Sequence, residues 1–295
     1  MRYLIIVTCI WAFSFPLIGH FIAKEVDIYF AIVLRFGLAL LVFLPFIRFV
    51  GVDLGLKCKL VGIGAIQIGV MYLFYYFSFY YLSPSEVALF TIFTPFYISL
   101  FYDMCLRRFR LLYLISITLA VFGAFIIRSG KIDSDFLLGF LLVQGANICF
   151  GAGQTFYKVA IERYIKNNPS LRQQDIFGYF YIGALCVGVI SFMCFSNIDR
   201  MPTTGTQWAI LIYLGIVASG LGYFLWNKGA TLVDSGILAI MNNVLIPAAV
   251  AVDLLFFGSN SDIGKLLIGG TIIGISLFLH YKIIRFYKGT QSALT

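Results

Sequence analysis

The chain has 295 residues, of which 61% are hydrophobic and only 12% charged, with a net charge of +8. Water-soluble domains carry roughly 25% charged residues, so this composition excludes a soluble enzyme or a nucleic-acid-binding domain and indicates a polytopic membrane protein. The six cysteines form no metal-spaced pairing with the two histidines, so neither a metal nor a cofactor is expected.

Ten apolar segments are predicted to be helices. The first, Leu4–Ile22, is long enough to span and lacks a small-x-small cleavage site, so it reads as a membrane helix rather than a signal peptide. Tyr29–Val50, Leu60–Tyr81, Pro84–Tyr102 and Leu111–Arg128 complete the first half. Within it, Ser83-Pro84-Ser85-Glu86 has the pattern of a capping box with proline at the first helical position. The second half comprises Phe136–Ala160, Ile176–Ser196, Gln207–Ala230, Ser235–Phe257 and Gly264–Ile284. The polar stretch from Ile161 to Asp175 is expected to be the hinge between spans six and seven.

The expected fold is an all-α integral membrane protein of ten transmembrane helices, arranged as two inverted five-helix repeats over residues 1–130 and 131–295. Five is odd, so the second copy enters the membrane in the opposite orientation, which is a common build of carriers. The copies align around Leu82-Ser83-Pro84-Ser85 and Leu232-Val233-Asp234-Ser235, with Pro95 and Pro247 downstream. Gly270-x-x-x-Gly274, like the small residues Gly151-Ala152-Gly153, is expected to permit close helix contact. With both termini cytoplasmic, thirteen Lys and Arg fall in inner segments and five in outer ones, the bias that membrane insertion favours.

Trp11, the run Tyr29-Phe-Ala-Ile-Val-Leu-Arg35-Phe36, Tyr81-Leu-Ser-Pro-Ser-Glu-Val-Ala88 leading to Pro95, and Ala230-Thr-Leu-Val-Asp-Ser-Gly-Ile237 leading to Pro247 recur in this order across nearly the whole chain. In these features the chain resembles the drug/metabolite transporter superfamily, in its ten-span EamA branch. The resemblance implies secondary transport of a small metabolite through a basket of helices around a central cavity, with the fifth and tenth spans peripheral. It also implies a bacterial inner-membrane location. The chain departs from the family at Leu106-Arg107-Arg108 and Gly258-Ser259-Asn260, where Leu-Gly-Glu is common, and at Gly19, which replaces a first-span lysine.

Polar groups inside a span are costly and mark candidate sites. Arg35, in span two, either faces the cavity as a forked donor to a substrate carboxylate or snorkels. Asn147, Gln154, Asn242 and Asn243 are amides deep in spans six and nine that bridge helices or contact substrate. Trp11, Tyr72, Tyr76, Phe79, Trp226 and Asn227 complete the substrate-binding candidates, Tyr72, Tyr76 and Phe79 sharing one helix face. Glu86, Asp253, Lys158 and Lys228 are the coupling or gating candidates, although Glu86 also fits a cap and the lysines also fit snorkelling. Asp103 has Arg107 four residues on as an ion-pair partner.

The function expected is alternating-access transport of an amino acid, amine or carboxylate, coupled to protons or to exchange. A channel or a multidrug exporter is the alternative. Without H-E-x-x-H, G-x-S-x-G or a phosphate loop, no enzyme chemistry is indicated. The partners expected are a small-molecule substrate and the lipid bilayer, with no nucleic acid, and the chain is expected to act as a monomer.

Overall fold

The computed structural model describes residues 1–105, 115–116, 118–119, 122–123, 126, 134–167, 171–233, 235–258 and 263–292. The predicted span Leu111–Arg128 and the partner Arg107 fall largely or wholly outside them. Besides the scattered helical residues between 115 and 126 and a 3₁₀ turn, Ile198–Arg200, the described residues form nine long helices and no strand: α1 (Arg2–Ile22), α2 (Ile28–Phe46), α3 (Leu54–Ser78), α4 (Pro84–Cys105), α5 (Ser134–Asn167), α6 (Gln174–Phe195), α7 (Gly205–Thr231), α8 (Ser235–Phe257) and α9 (Ile263–Ser292). Seven of them, α1 to α7, are long and apolar enough to cross a bilayer, and α8 and α9 contain the shorter apolar stretches Val244–Phe257 and Leu267–Ile283. Large apolar side chains such as Leu41, Ile190, Met193 and Phe278 point outward, as expected where the surrounding solvent is lipid.

Helix ends follow local chemistry. Asp27 accepts from Phe30 N at 2.7 Å and Asp53 from Leu56 N at 3.0 Å, capping α2 and α3. The Asp53 cap starts α3 six residues before the predicted Leu60, because Lys57 and Lys59 mask the helix from a hydropathy reading. The predicted capping box is present, with Ser83 N donating to Glu86 Oε2 and Glu86 N to Ser83 Oγ. The predicted hinge begins too early: α5 runs on through Glu162 and Lys166 to Asn167, supported by Lys158 and Glu162 at the helical i,i+4 spacing, 3.9 Å apart.

Helix packing has a reciprocal pattern. α1 lies against α8 as α5 lies against α4, α2 against α7 as α6 against α3, and α7 against α1 as α3 against α5. Two ends of the bundle are defined by cross-contacts. At the first, Asn197 N donates to Asp27 Oδ2 and Asp27 N to Arg200 O, joining the α1–α2 and α6–α7 loops. At the second, Arg48 N donates to Asp175 O, Gln173 Nε2 to Thr231 Oγ1 and Lys158 Nζ to Val233 O. We call these the α1–α2 end and the α2–α3 end.

Glycines set the tightest crossings. Gly153 brings α5 onto α3, where a Cβ would stand 2.2 Å from Gln67 Cβ. At Gly19 a Cβ would stand 2.4 Å from Pro84 Cγ, so this position now serves the α1–α4 contact. Among the described residues a Cβ at Gly274 meets nothing within 4 Å, and one at Gly270 makes an ordinary contact with Leu89.

Candidate substrate site

A cavity of about 90 Å³ opens at the centre of the bundle, room for several waters. α1 supplies Trp11, Ser14, Phe15 and Ile18, α3 supplies Met71, Tyr72 and Tyr75, and α4 supplies Thr91 and Thr94. The second half adds Ala146, Asn147 and Phe150 from α5, Tyr223 from α7, and Asn242 and Leu245 from α8. The wall is therefore mostly aromatic, with a few placed polar groups, as small-molecule sites commonly are.

Trp11 is fixed by its indole N–H, which donates to Ala218 O at 2.8 Å, and its ring leans on Tyr223 and Trp226 with centroids 4.9 and 5.0 Å away. Asn147 is held from three sides. Its Oδ1 accepts from Thr94 Oγ1 at 3.1 Å, and its Nδ2 donates to Phe90 O at 2.9 Å and Gln144 Oε1 at 3.2 Å. Phe90 precedes a 3₁₀ turn, Thr91–Phe93, ahead of Pro95, so Asn147 satisfies a carbonyl where the regular helix ladder is interrupted. Asn242 donates to Leu238 O at 3.0 Å and lines the cavity with its body. The side chain of Asn243 lies outside the described residues. Replacing Asn147 with leucine is expected to lower stability by about 1–3 kcal/mol, since Phe90 O, Thr94 Oγ1 and Gln144 Oε1 would each lose a buried hydrogen-bond partner; thermal unfolding of the purified variant measures this.

Arg35 does not snorkel. It is fully buried behind the cavity wall, with Nη1 donating to Tyr76 Oη at 2.8 Å and Nη2 to Tyr72 Oη at 2.7 Å. Nε and Nη2 both reach Ser219 Oγ, at 3.1 and 2.9 Å. Ser219 sits in a π-helical stretch of α7, Leu214–Leu221; such local widening of a helix often marks functional sites. The guanidinium also lies 4.4 Å from the Tyr72 ring centroid. Among the described residues it forms no ion pair with a carboxylate.

The predicted aromatic face therefore divides. Tyr72 lines the cavity, Tyr76 holds Arg35, and Phe79 packs against Tyr75 and the Gly19 backbone, away from the cavity. Gln154, Trp226 and Asn227 are also outside the lining; they form a buried group with Gln67, toward the α2–α3 end.

At the α1–α2 end, Asp253 is almost fully buried and bridges three helices. His20 Nε2 lies 2.8 Å from Asp253 Oδ1, and Ser85 Oγ donates to Asp253 Oδ2 at 2.5 Å. His20 stacks on Phe257 at 5.2 Å. The other charged candidates have peripheral roles. Glu86 closes the capping box, Lys158 donates to Val233 O, and Lys228 lies 5.3 Å over the Tyr3 ring.

Sequence reasoning missed Tyr223, Ser219, Gln67 and His20. Gln67 had a readable signal, a lone amide among apolar residues in mid-span. The pairing of His20 with Asp253, 233 positions apart, had none.

Residues 2–129 and 137–281 each match the EamA-like transporter family. The chain belongs to that family. Among its relatives, a probable biotin transporter of Pseudomonas aeruginosa is 44% identical over 280 residues, covering 95% of this chain and 97% of that protein. Biotin transporters of Salmonella typhimurium and Escherichia coli are 44% and 45% identical, each over 96% of this chain and 93% of their own length. One solved crystal structure, 16% identical, shares the fold with a TM-score of 0.65 over 93% of this chain and 94% of its own. This EamA-family chain is thus an integral membrane transporter of small molecules, not an enzyme.

Proposed function

We propose that this protein is a carrier for biotin or a closely similar carboxylate with a cyclic urea head. The observation that carries the reading is the buried Arg35 without a carboxylate partner among the described residues. A charge placed at mid-span costs about 2.5–3.5 kcal/mol on insertion scales, and an incoming carboxylate supplies the missing counter-charge. Tyr72 Oη accepts from Arg35 and shares a hydrogen bond with Tyr223, and both hydroxyls belong to cavity-lining residues, so a substrate carboxylate would receive a proton from this linked pair. A cationic amine is disfavoured by the same guanidinium, although the aromatic wall alone would suit one.

Transport by alternating access fits the cavity's size. A drug-sized ligand needs roughly 300–1,000 Å³, so a substrate as large as biotin enters only as the halves move. The reciprocal packing supports two inverted repeats, 1–130 and 131–295, and the Lys and Arg distribution supports cytoplasmic termini, which places the α2–α3 end inside.

Asp253 is the group we assign to proton coupling, since it joins α1, α4 and α8 and a proton there would loosen both its contacts. Asp253→Asn is expected to slow flux driven by a proton gradient about tenfold, the loss of one charge-assisted contact, while exchange of biotin for biotin stays within about threefold. Equal loss of both modes would make Asp253 a structural bridge.

The carboxylate reading is tested by calorimetry on the purified protein with biotin and with biotinamide, which lacks the charge. Biotinamide should bind about 100-fold more weakly, the worth of a buried charged hydrogen bond. Equal affinities would sink the assignment of Arg35.

A further inference from the structure

Three amides lie outside the cavity with part of their hydrogen-bonding capacity unused. Gln67 on α3, Gln154 on α5 and Asn227 on α7 are 0%, 1% and 0% exposed. Gln67 Nε2 donates to Asn227 Oδ1 at 3.2 Å, and Trp226 Nε1 donates to Gln154 Oε1 at 3.4 Å. Gln67 Oε1, Asn227 Nδ2 and Gln154 Nε2 are left without a partner among the described residues, as is the neighbouring Thr155 Oγ1. The groups are contiguous: Asn227 follows Trp226, and Gly153, beside Gln154, packs directly on Gln67.

The pattern of free groups does not depend on which amide atom is oxygen. An indole only donates, so Trp226 fixes the Gln154 oxygen toward itself and leaves its nitrogen free. Turning over Gln67 and Asn227 together would keep their mutual bond and still leave one free donor and one free acceptor. The group therefore offers two donors and one acceptor. Folded proteins leave few buried polar atoms unmet, and each one needs an explanation.

We propose that this group is a second substrate station, specific for a cyclic urea, which the substrate reaches as the carrier opens toward the α2–α3 end. The inference rests on the carboxylate-carrier reading above. A urea carbonyl accepts from Gln154 Nε2 and Asn227 Nδ2, and one urea N–H donates to Gln67 Oε1, so each of the three unmet amide atoms finds a partner. Trp226 stands between this station and the cavity, its ring tilted at 34° against Trp11, which lines the cavity. A shift of this indole pair would open a path from the cavity to the amides. Arg35 lies toward the α1–α2 end and the amides toward the other, one turn from Lys158 and Thr231, so a substrate with a carboxylate at one end and a urea at the other can be passed along. In the closed arrangement the unmet amides weaken the closure, which eases opening.

The test uses purified full-length protein with Asn227→Leu, Gln154→Met and, for comparison, Arg35→Gln. The probes are biotin and 2-imidazolidinone, a cyclic urea without a carboxylate. Saturation-transfer NMR should detect 2-imidazolidinone on the wild type and on Arg35→Gln, and lose it on both amide variants. Biotin flux into proteoliposomes should fall tenfold or more in the amide variants while equilibrium biotin affinity changes less than threefold. Should Asn227→Leu fail to fold, the near-isosteric Gln154→Met carries the test alone. Unchanged flux and unchanged 2-imidazolidinone signal, or a loss of affinity as large as the loss of flux, overturns the second station. Biotin binding insensitive to Arg35→Gln would instead remove the carboxylate reading and leave the urea result to be judged by its own probe.

Discussion

Replacing Arg35 with glutamine is expected to reduce biotin flux by about 100-fold or more, as loss of a buried charge-assisted contact of about 3 kcal/mol implies. The reason is geometric as well as electrostatic. Four donations from one guanidinium organise Tyr72, Tyr76 and Ser219, and glutamine can replace at most two of them while supplying no charge. Arg35→Lys keeps the charge but loses the planar fork, so it should recover only part of the activity. Stability separates function from folding here. Removing a buried charge that lacks an ionic partner can leave a protein as stable as before, or more so, so the glutamine variant should be folded and inactive. Proteoliposome flux, read beside thermal unfolding, checks both halves of this expectation.

The largest structural effect is expected at the α3–α6 crossing. A Cβ at Gly64 would stand 1.8 Å from Phe180 O, and one at Gly183 would stand 1.8 Å from Val61 O. The clashes are reciprocal and both are with backbone, so no rotamer change relieves them and the helices must separate. Gly64→Ala or Gly183→Ala is expected to cost about 3 kcal/mol or more, at the upper end of the overpacking range. For a chain of this size that lowers the unfolding midpoint by roughly 5 °C or more. Gly37 and Gly62 provide the control, since a Cβ at either meets nothing within 4 Å. Alanine there should be neutral or slightly stabilising, because glycine is a poor helix former. Thermal unfolding of the four variants in one detergent decides the matter.

Much of the fold is legible in the sequence because the bilayer imposes one rule, that long apolar stretches become helices. The capping box at Ser83 and Glu86 is readable for a similar reason, since all its atoms lie within one turn. The start of α3 and the end of α5 escape, because Lys57 and Lys59 or Glu162 and Lys166 look like loop residues to hydropathy, yet are good helix formers. Trp11, Tyr72, Asn147 and Asn242 are legible as cavity residues because aromatics and amides stand out in an apolar span. Side-chain division of labour is not legible. Tyr72 and Tyr76 share a helix face and both hold Arg35, but only Tyr72 also lines the cavity, and the place of the guanidinium depends on α7, whose π-helical stretch turns Ser219 toward it. Likewise, Asp253 has no partner nearby along the chain, because its partners come from α1 and α4.

The most direct measurement of the central claim is radiolabelled biotin flux into liposomes containing the purified protein, with wild type and Arg35→Gln side by side. Saturable flux is expected in the wild type, competed by unlabelled biotin but not by biotinamide, and about 100-fold less flux in the variant. Flux that does not saturate, or that biotinamide competes as well as biotin, would contradict a carrier that recognises its substrate's carboxylate through Arg35 and Tyr72.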